Sequence, residues 1–335
     1  MILPTTYGTA LMLTILTMLC WGSWANTFKV TKEWRFELFY FDYSFGVLIA
    51  AIVAAFTFGS MGDELSFQDN LLIAGRHFMI YGVLAGVVFN LANMLLVAAI
   101  SLAGMAVAFP IGIGLAMVIG VIWNYIINPQ GNPFLIFAGT VLVIGAIIVD
   151  AMAYRAHSVI DGEVSEDFSL KGVVIALVSG VLMGSFYPLV ELSRSGDVGL
   201  GPYSVAFFFG IGVFFSTFIF NLYFMNLPVE GEPVGFPEYF TGRFGNHVWG
   251  ILGGIIWCVG AICNFVAASG SAKVGPAVSY GLGQGATMVS AFWGIFVWKE
   301  FAGSEGRVKL LLAIMFVLFI GGLTLISMAP LYGTK

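Results

Sequence analysis

Polar residues are rare along this chain and fall in clusters. Between them run apolar stretches of the length, about 20 residues, that a helix needs to cross a bilayer. Ten stretches qualify: 7–28, 38–59, 78–101, 104–127, 133–153, 170–192, 202–226, 247–269, 275–298 and 307–328. The joints are polar or rich in Gly and Pro, as in Ser60–Gln68, Asn128–Pro133 and Pro228–Gly245. Spans 3 and 4 almost fuse at Leu102–Ala103, which predicts a tight hairpin, and only Gly270–Val274 separates spans 8 and 9. The runs lack the alternation of barrel strands. Backbone groups in lipid must bond internally, so each run is predicted to be a helix. No joint is long enough to fold by itself.

Composition excludes the soluble classes. Hydrophobic residues make up 59% of the 335 positions and charged residues 9%, against roughly 25% charged in soluble domains. Cys20, Cys258 and Cys263 lie inside apolar runs and read as small buried hydrophobes, not as disulfides or metal ligands. A net charge of -5 spread over the loops offers nothing to a nucleic acid. Residues 1–6 carry no Lys or Arg, so the first run reads as a retained helix, not a cleaved signal.

The chain also repeats itself. Gly82-Val-Leu-Ala-Gly86 in span 3 matches Gly250-Ile-Leu-Gly-Gly254 in span 8. Pro110-Ile-Gly-Ile-Gly114 in span 4 is matched by Tyr280-Gly-Leu-Gly-Gln-Gly285 in span 9, and Gly22-Ser-Trp24 in span 1 by Gly184-Ser-Phe186 in span 6. The matches keep their order. They divide the chain into a first five-helix repeat (1–154), a connecting loop (155–169) and a second five-helix repeat (170–335). An odd number of spans per half makes the second half enter the membrane inverted, with a site expected between the halves near the midplane. The fold class expected is therefore an all-α integral membrane protein of ten helices in two inverted repeats. Gly at i and i+4 predicts close helix packing.

Charge sets the expected orientation. Lys29, Lys32, Arg35, Arg155, Lys171, Arg243, Lys299, Arg307 and Lys309 follow the odd spans, against Arg76, Arg194, Lys273 and Lys335 on the other side. Both termini are then extracytoplasmic.

A polar group inside hydrocarbon is costly unless paired or wet, so those within spans mark candidate sites. The substrate-binding candidates are Trp24 and Asn26 (span 1), Asn90 and Asn93 (span 3), Tyr187 (span 6), Trp257 and Asn264 (span 8), and Tyr280, Gln284 and Thr287 (span 9). Asn90 and Asn93, three apart, share a face, as do Gln284 and Thr287. Carboxamides donate and accept together, and aromatic faces suit a flat ring, so the partner expected is a small uncharged polar solute. Helix-to-helix bonding is the plain alternative for the asparagines. Trp298 and Trp123 read as interfacial belt residues, and Pro188 as a kink. Among carboxylates near helix ends, Glu191 and Asp42 are the ion-coupling candidates. Asp42 could pair with Lys29, Lys32 or Arg35, and Glu300 with Lys299.

Phe41-Asp-Tyr-Ser44, Ala50-Ala51 and Phe56-Thr-Phe-Gly59 together resemble the second span of the ureide permease family. Gly22-x-Trp24, Ala92-Asn93 and Asn124-Tyr125 fit it as well. The resemblance is close over the first half and looser over the second. It implies the drug/metabolite transporter superfamily, beside the glucose/ribose porters. It also implies inverted five-helix repeats in the plasma (inner) membrane, and proton-coupled uptake of solutes such as allantoin or uracil, or of a sugar. Plant members carry a nucleotide-loop-like motif in a long central loop. Here 155–171 holds no Gly-x-x-x-x-Gly-Lys, so neither ATP nor another cofactor is expected.

An exporter is the main rival class, a receptor or scaffold a lesser one, and an enzyme is not expected. A broad-specificity exporter of the same superfamily calls for a greasier cavity. A receptor or scaffold calls for a sizeable soluble module. An enzyme calls for clustered His or acidic groups, whereas His77, His157 and His247 lie at or beyond span ends. The oligomeric state, a homodimer included, is left open.

Overall fold

A computed structural model describes the chain except for residues 32–33, 63, 161–168, 229–230, 271–273, 305 and 333–335. The described residues are helical, without strands. The long helices are α1 (Tyr7–Ser23), continued by short α2 (Ala25–Val30), α3 (Phe36–Phe56), α5 (Arg76–Ala103), α6 (Met105–Ile127) and α7 (Pro133–Ile160) in the first half. The second half holds α8 (Leu170–Arg194), α9 (Pro202–Asn226), α11 (Phe244–Ala267) and α14 (Gly306–Met328), with α12 (Pro276–Gly283) and α13 (Ala286–Phe292) between α11 and α14. Two short helices in the joints, α4 (Phe67–Ile73) and α10 (Phe236–Thr241), were not expected from hydropathy.

Helix starts follow local chemistry. Thr6 caps α1, its hydroxyl accepting from the Thr9 amide, and Ser169 caps α8 in the same way. Pro202 and Pro276 open α9 and α12, where a missing N–H costs nothing. Gly104, at φ 75°, makes the hairpin between α5 and α6, a backbone geometry that favours glycine.

Nine helical segments among the described residues are long and apolar enough to cross a membrane. Met12, Ile126 and Phe134 on their outer faces are 72%, 72% and 77% exposed, which only lipid makes tolerable. The protein is thus a multi-pass integral membrane protein. The run 275–298, expected as one helix, is not one. It breaks at Gln284–Gly285 between α12 and α13 and ends in a π-helical turn, Trp293–Val297. Span 1 likewise divides at Trp24. Pro188 does not interrupt α8, which runs unbroken past it. Residues 161–168, most of the expected connecting loop, lie outside the described residues, as do Lys32, Lys273 and Lys335.

Packing follows a paired pattern. The helix α5 lies against α9, and α11 against α3; α8 lies against α5 and α6, and α1 against α11 and α13. Glycines mark the closest approaches. A Cβ on Gly86 would strike the Phe209 carbonyl, and one on Gly212 the Val83 carbonyl. In the other pair, Gly254 faces the Tyr43 carbonyl and Gly46 that of Ile251. Gly22 sits against the Ala286 carbonyl, and its sequence counterpart Gly184 against that of Ala116. Each contact has a counterpart when the two halves are exchanged.

Candidate functional site

The centre of the bundle is an aromatic cluster fed by six helices. Trp21 of α1 stacks on Trp257 of α11, with centroids 5.7 Å apart and planes 12° apart. Trp257 stacks in turn on Phe209 of α9 at 5.6 Å, and meets Phe89 of α5 at 4.2 Å. Phe186 and Tyr187 of α8 and Tyr280 of α12 extend the cluster. The polar edges of the rings are satisfied by backbone. Trp21 Nε1 donates to the Trp257 carbonyl at 3.2 Å, and the Tyr280 hydroxyl to that of Ala116 at 3.1 Å.

One side of this cluster is the break in the ninth run. Asn264 and Ser279 bond reciprocally: Asn264 Nδ2 donates to the Ser279 carbonyl and Ser279 Oγ to the Asn264 carbonyl, both at 2.9 Å. The pair staples α12 to α11 and leaves Asn264 Oδ1 without a partner among the described residues. A Cβ at Gly283 would come 2.8 Å from the Trp21 ring, and one at Gly285 2.7 Å from Met18 Sδ. Gln284 and Gly285 keep right-handed helical angles, and bonds from the Gly285 amide to the Leu282 carbonyl and from the Thr287 amide to the Gln284 carbonyl tighten the joint into a 3₁₀-like turn, with glycine on both sides allowing the close approach. The Gln284 carboxamide is half-buried and makes no hydrogen bond among the described residues.

Beyond the break, α13 descends into a cavity of about 190 Å³. Thr287 and Ser290 line it from α13, Asn26 from α2, and Asp150 and Tyr154 from α7. Its rim is tied by side chains. Trp293 Nε1 donates to Ser23 Oγ at 2.9 Å, and Trp298 Nε1 donates to Asn26 Oδ1. Lys29 pairs with Glu300, which also accepts from the Tyr154 hydroxyl at 2.8 Å.

The structure thus distributes the expected site residues. Tyr187, Trp257, Asn264 and Tyr280 meet at the centre, with Gln284 at its edge. Asn26 and Thr287 belong to the cavity. Trp24 leans on Tyr43 with ring centroids at 4.8 Å, and Asn93 Nδ2 donates to the Tyr40 hydroxyl at 3.0 Å, next to that pair. Asn90 turns away from Asn93's partner and donates to α9, at Ser216 Oγ (2.7 Å) and Thr217 Oγ1 (3.1 Å). It binds helix to helix, the plainer of its two sequence readings.

Several expected pairings are corrected. Asp42 is bound by the Tyr239 hydroxyl at 2.6 Å and by His247 Nδ1 at 2.8 Å, not by Lys29 or Arg35. Lys29 takes Glu300, which was expected to pair with Lys299, and Arg35 takes Glu37 at 2.7 Å. Burial, then the bond to Asp42, push the Tyr239 phenol above its ordinary range, so it stays a donor. Glu191 accepts from Asn128 Nδ2 at 2.9 Å and pairs with Arg194 at 3.3 Å; Arg194 in turn donates to Ser269 Oγ at 2.6 Å. Trp298 is a cavity residue with Lys29 over its ring at 4.7 Å, not a simple belt residue.

Sequence reasoning passed over Asp150 and Tyr154. It ended the fifth span at 153, whereas α7 continues to Ile160. A carboxylate in the run Val-Ile-Gly-Ala-Ile-Ile-Val-Asp150 was the available signal. Trp21, absent from the expected site residues, stands at the centre.

Curated relatives align with this chain, several of them along most of its length. Ureide permease 2 of Arabidopsis thaliana is 23% identical over 388 aligned positions, spanning 95% of this chain and 96% of its own. Ureide permease 1 of the same plant is 22% identical over 374, spanning 93% and 95%. Transmembrane protein 144 homolog B of Dictyostelium discoideum matches 48% of this chain at 24% identity. A solved crystal structure superposes on 95% of this chain, and 96% of its own, with a TM-score of 0.62 at 17% identity, a likeness of fold alone. The family described as Ureide permease matches residues 162–329, half of the chain and the half in which motif resemblance was looser. With its helical bundle and its full-length relatives, the chain belongs to the ureide permease family.

Proposed function

We propose that this protein is a permease carrying a small, uncharged, planar polar solute of the ureide or nucleobase class across the plasma (inner) membrane by alternating access. One observation carries the reading: a half-buried carboxamide, Gln284, stands unbonded at a helix break beside stacked aromatic rings. A ureide or nucleobase offers N–H and C=O groups in one plane, which a single carboxamide can bind in pairs. Its faces suit the half-buried Trp21 ring. Backbone at a broken helix is tolerated at membrane depth only where it is buried or lines a polar cavity, a frequent arrangement at solute sites. The plant relatives are named for ureides.

The matched glycine contacts of Gly22 with Gly184 and of Gly86 with Gly254 support two inverted five-helix repeats, the break lying within the ninth crossing. This is the architecture expected of the drug/metabolite transporter superfamily. The backbones meet there with few interlocking side chains, which favours rocking of one half against the other. Asp42 ties α10 to α3 and α11 on one face, and Glu191 ties α8 to Asn128 on the other. We assign these two carboxylates to closing the faces, and proton coupling to the resemblance.

Uptake of labelled allantoin, uracil and glucose into proteoliposomes tests the reading. Saturable uptake of allantoin or uracil, each competing with the other, is the expected result. Saturable glucose uptake alone would make the protein a sugar porter, and no uptake of the three would remove the reading.

A further inference from the structure

Asp150 is 5% exposed, and its Oδ1 makes no hydrogen bond among the described residues. It lines the 190 Å³ cavity together with Glu300. A buried carboxylate oxygen left bare costs far more than one that is paired. The groups that face it are few. Tyr154, four residues on along α7, donates to Glu300, and Lys29 of α2 pairs with the other oxygen of Glu300. From α6 the cavity receives Met105 and Phe109, which are apolar, and from α13 the hydroxyls of Thr287 and Ser290. The lining therefore holds two carboxylates and one ammonium, which is committed to Glu300, an excess of a single negative charge.

The backbone is shaped to make this arrangement. A π-helical turn, Trp293–Val297, is followed by Lys299 at φ 55°, a conformation that non-glycine side chains seldom adopt. Together they fold Glu300 back so that its amide reaches the Gly294 carbonyl at 2.9 Å. Gly294 gives the carboxylate its place, since a Cβ there would stand 2.6 Å from Glu300 Oε2. π turns are frequent at functional sites, and strained backbone persists where surrounding structure enforces it.

We infer that Asp150 and Glu300, with Tyr154, Thr287 and Ser290, form a site for one monovalent cation, a proton or an alkali ion, separate from the aromatic centre. The single excess charge matches one unit of positive charge. A cation seated on the Asp150 oxygen neutralises the pair and competes with Lys29 for Glu300. It thereby loosens the tie between α2 and the end of the ninth run. The inference rests on the permease reading for its purpose in transport, but the site itself does not depend on it.

The test uses the purified full chain in detergent, with tryptophan emission as readout, because Trp293 and Trp298 line the same cavity. Sodium is titrated against choline at fixed pH, and pH is titrated at fixed sodium. Wild type should show a saturable change in one of the two series, the responding series naming the ion. Asp150→Asn should abolish that component or move its midpoint at least tenfold. Gly294→Ala keeps every charge but displaces Glu300, and should move the same midpoint several-fold. A wild type flat in both series, or Asp150→Asn with an unmoved midpoint, overturns the site. If Asp150→Asn does not fold, an unmoved midpoint in Gly294→Ala does so. An intact cation response in a protein that carries no solute would retire the permease reading and leave this site standing.

Discussion

Gln284 and Asn264 are both carboxamides near the helix break, yet truncating them should have opposite consequences. The Gln284 amide makes no bond within the described protein, so Gln284→Ala leaves no orphaned partner and should hardly move the melting temperature. If it binds solute through paired hydrogen bonds, losing them costs roughly 1–3 kcal/mol. At about 1.4 kcal/mol per decade, the half-saturation concentration should rise by roughly five- to a hundredfold. Asn264 is different. Asn264→Ala removes the bond from its carboxamide to the buried Ser279 carbonyl at 2.9 Å, half of the staple between α11 and α12. The cost of an unmade buried bond, again about 1–3 kcal/mol, falls on folding. Counterflow of labelled allantoin or uracil in proteoliposomes, paired with thermal melting in detergent, separates the two. A Gln284→Ala protein with wild-type half-saturation, or one that melts as low as Asn264→Ala, would refute the placement of the solute beside Gln284.

Four further outcomes are expected. Gly86→Ala and Gly254→Ala each press a methyl against a facing carbonyl, so both should lower thermal stability by about 1–3 kcal/mol; a melt unchanged in either would mean the backbones can part. Glu191→Gln removes the acid partner of Arg194, and should lower the melting temperature while leaving gradient-driven accumulation in place; abolished accumulation with intact exchange would instead make Glu191 the coupling group. Tyr239→Phe deletes the 2.6 Å bond to Asp42, and limited proteolysis should then cut more rapidly around α10. A C-terminal reporter active only in the cytoplasm should stay dark; a bright one reverses the orientation.

Hydropathy made nine of the ten runs legible because each is a long apolar stretch with polar ends. The tenth shows why the rest was not. Tyr280-Gly-Leu-Gly-Gln-Gly285 is apolar enough to read as one helix, and the joint in it lies where Trp21 and Met18, residues more than 260 positions away, leave no room for a Cβ. The close contacts at Gly22, Gly86, Gly184 and Gly254 were legible as glycines because a backbone in the way leaves no choice of residue. Polar residues were less so. A three-residue spacing puts Asn90 and Asn93 on one side of α5, but their partners lie on different helices, Ser216 of α9 and Tyr40 of α3. Asp42 found Tyr239 because α10, a short helix hidden in a polar joint, folds back over it. Asp150 was not chosen because ending the fifth span at 153 put it near a helix end, whereas the span goes on to His157.

The break at Gln284–Gly285 also divides mechanical responsibility. On one side, α12 is clamped by Asn264 of α11 and, through Tyr280, by α6. On the other, α13 rides on α1, where Gly22 touches the Ala286 carbonyl. Gln284 and Thr287 stand only three residues apart across that joint, one beside the rings and the other in the polar cavity below. Strain set up at either place therefore has a covalent lever to the other a single turn long, and needs no relay through the rest of the bundle.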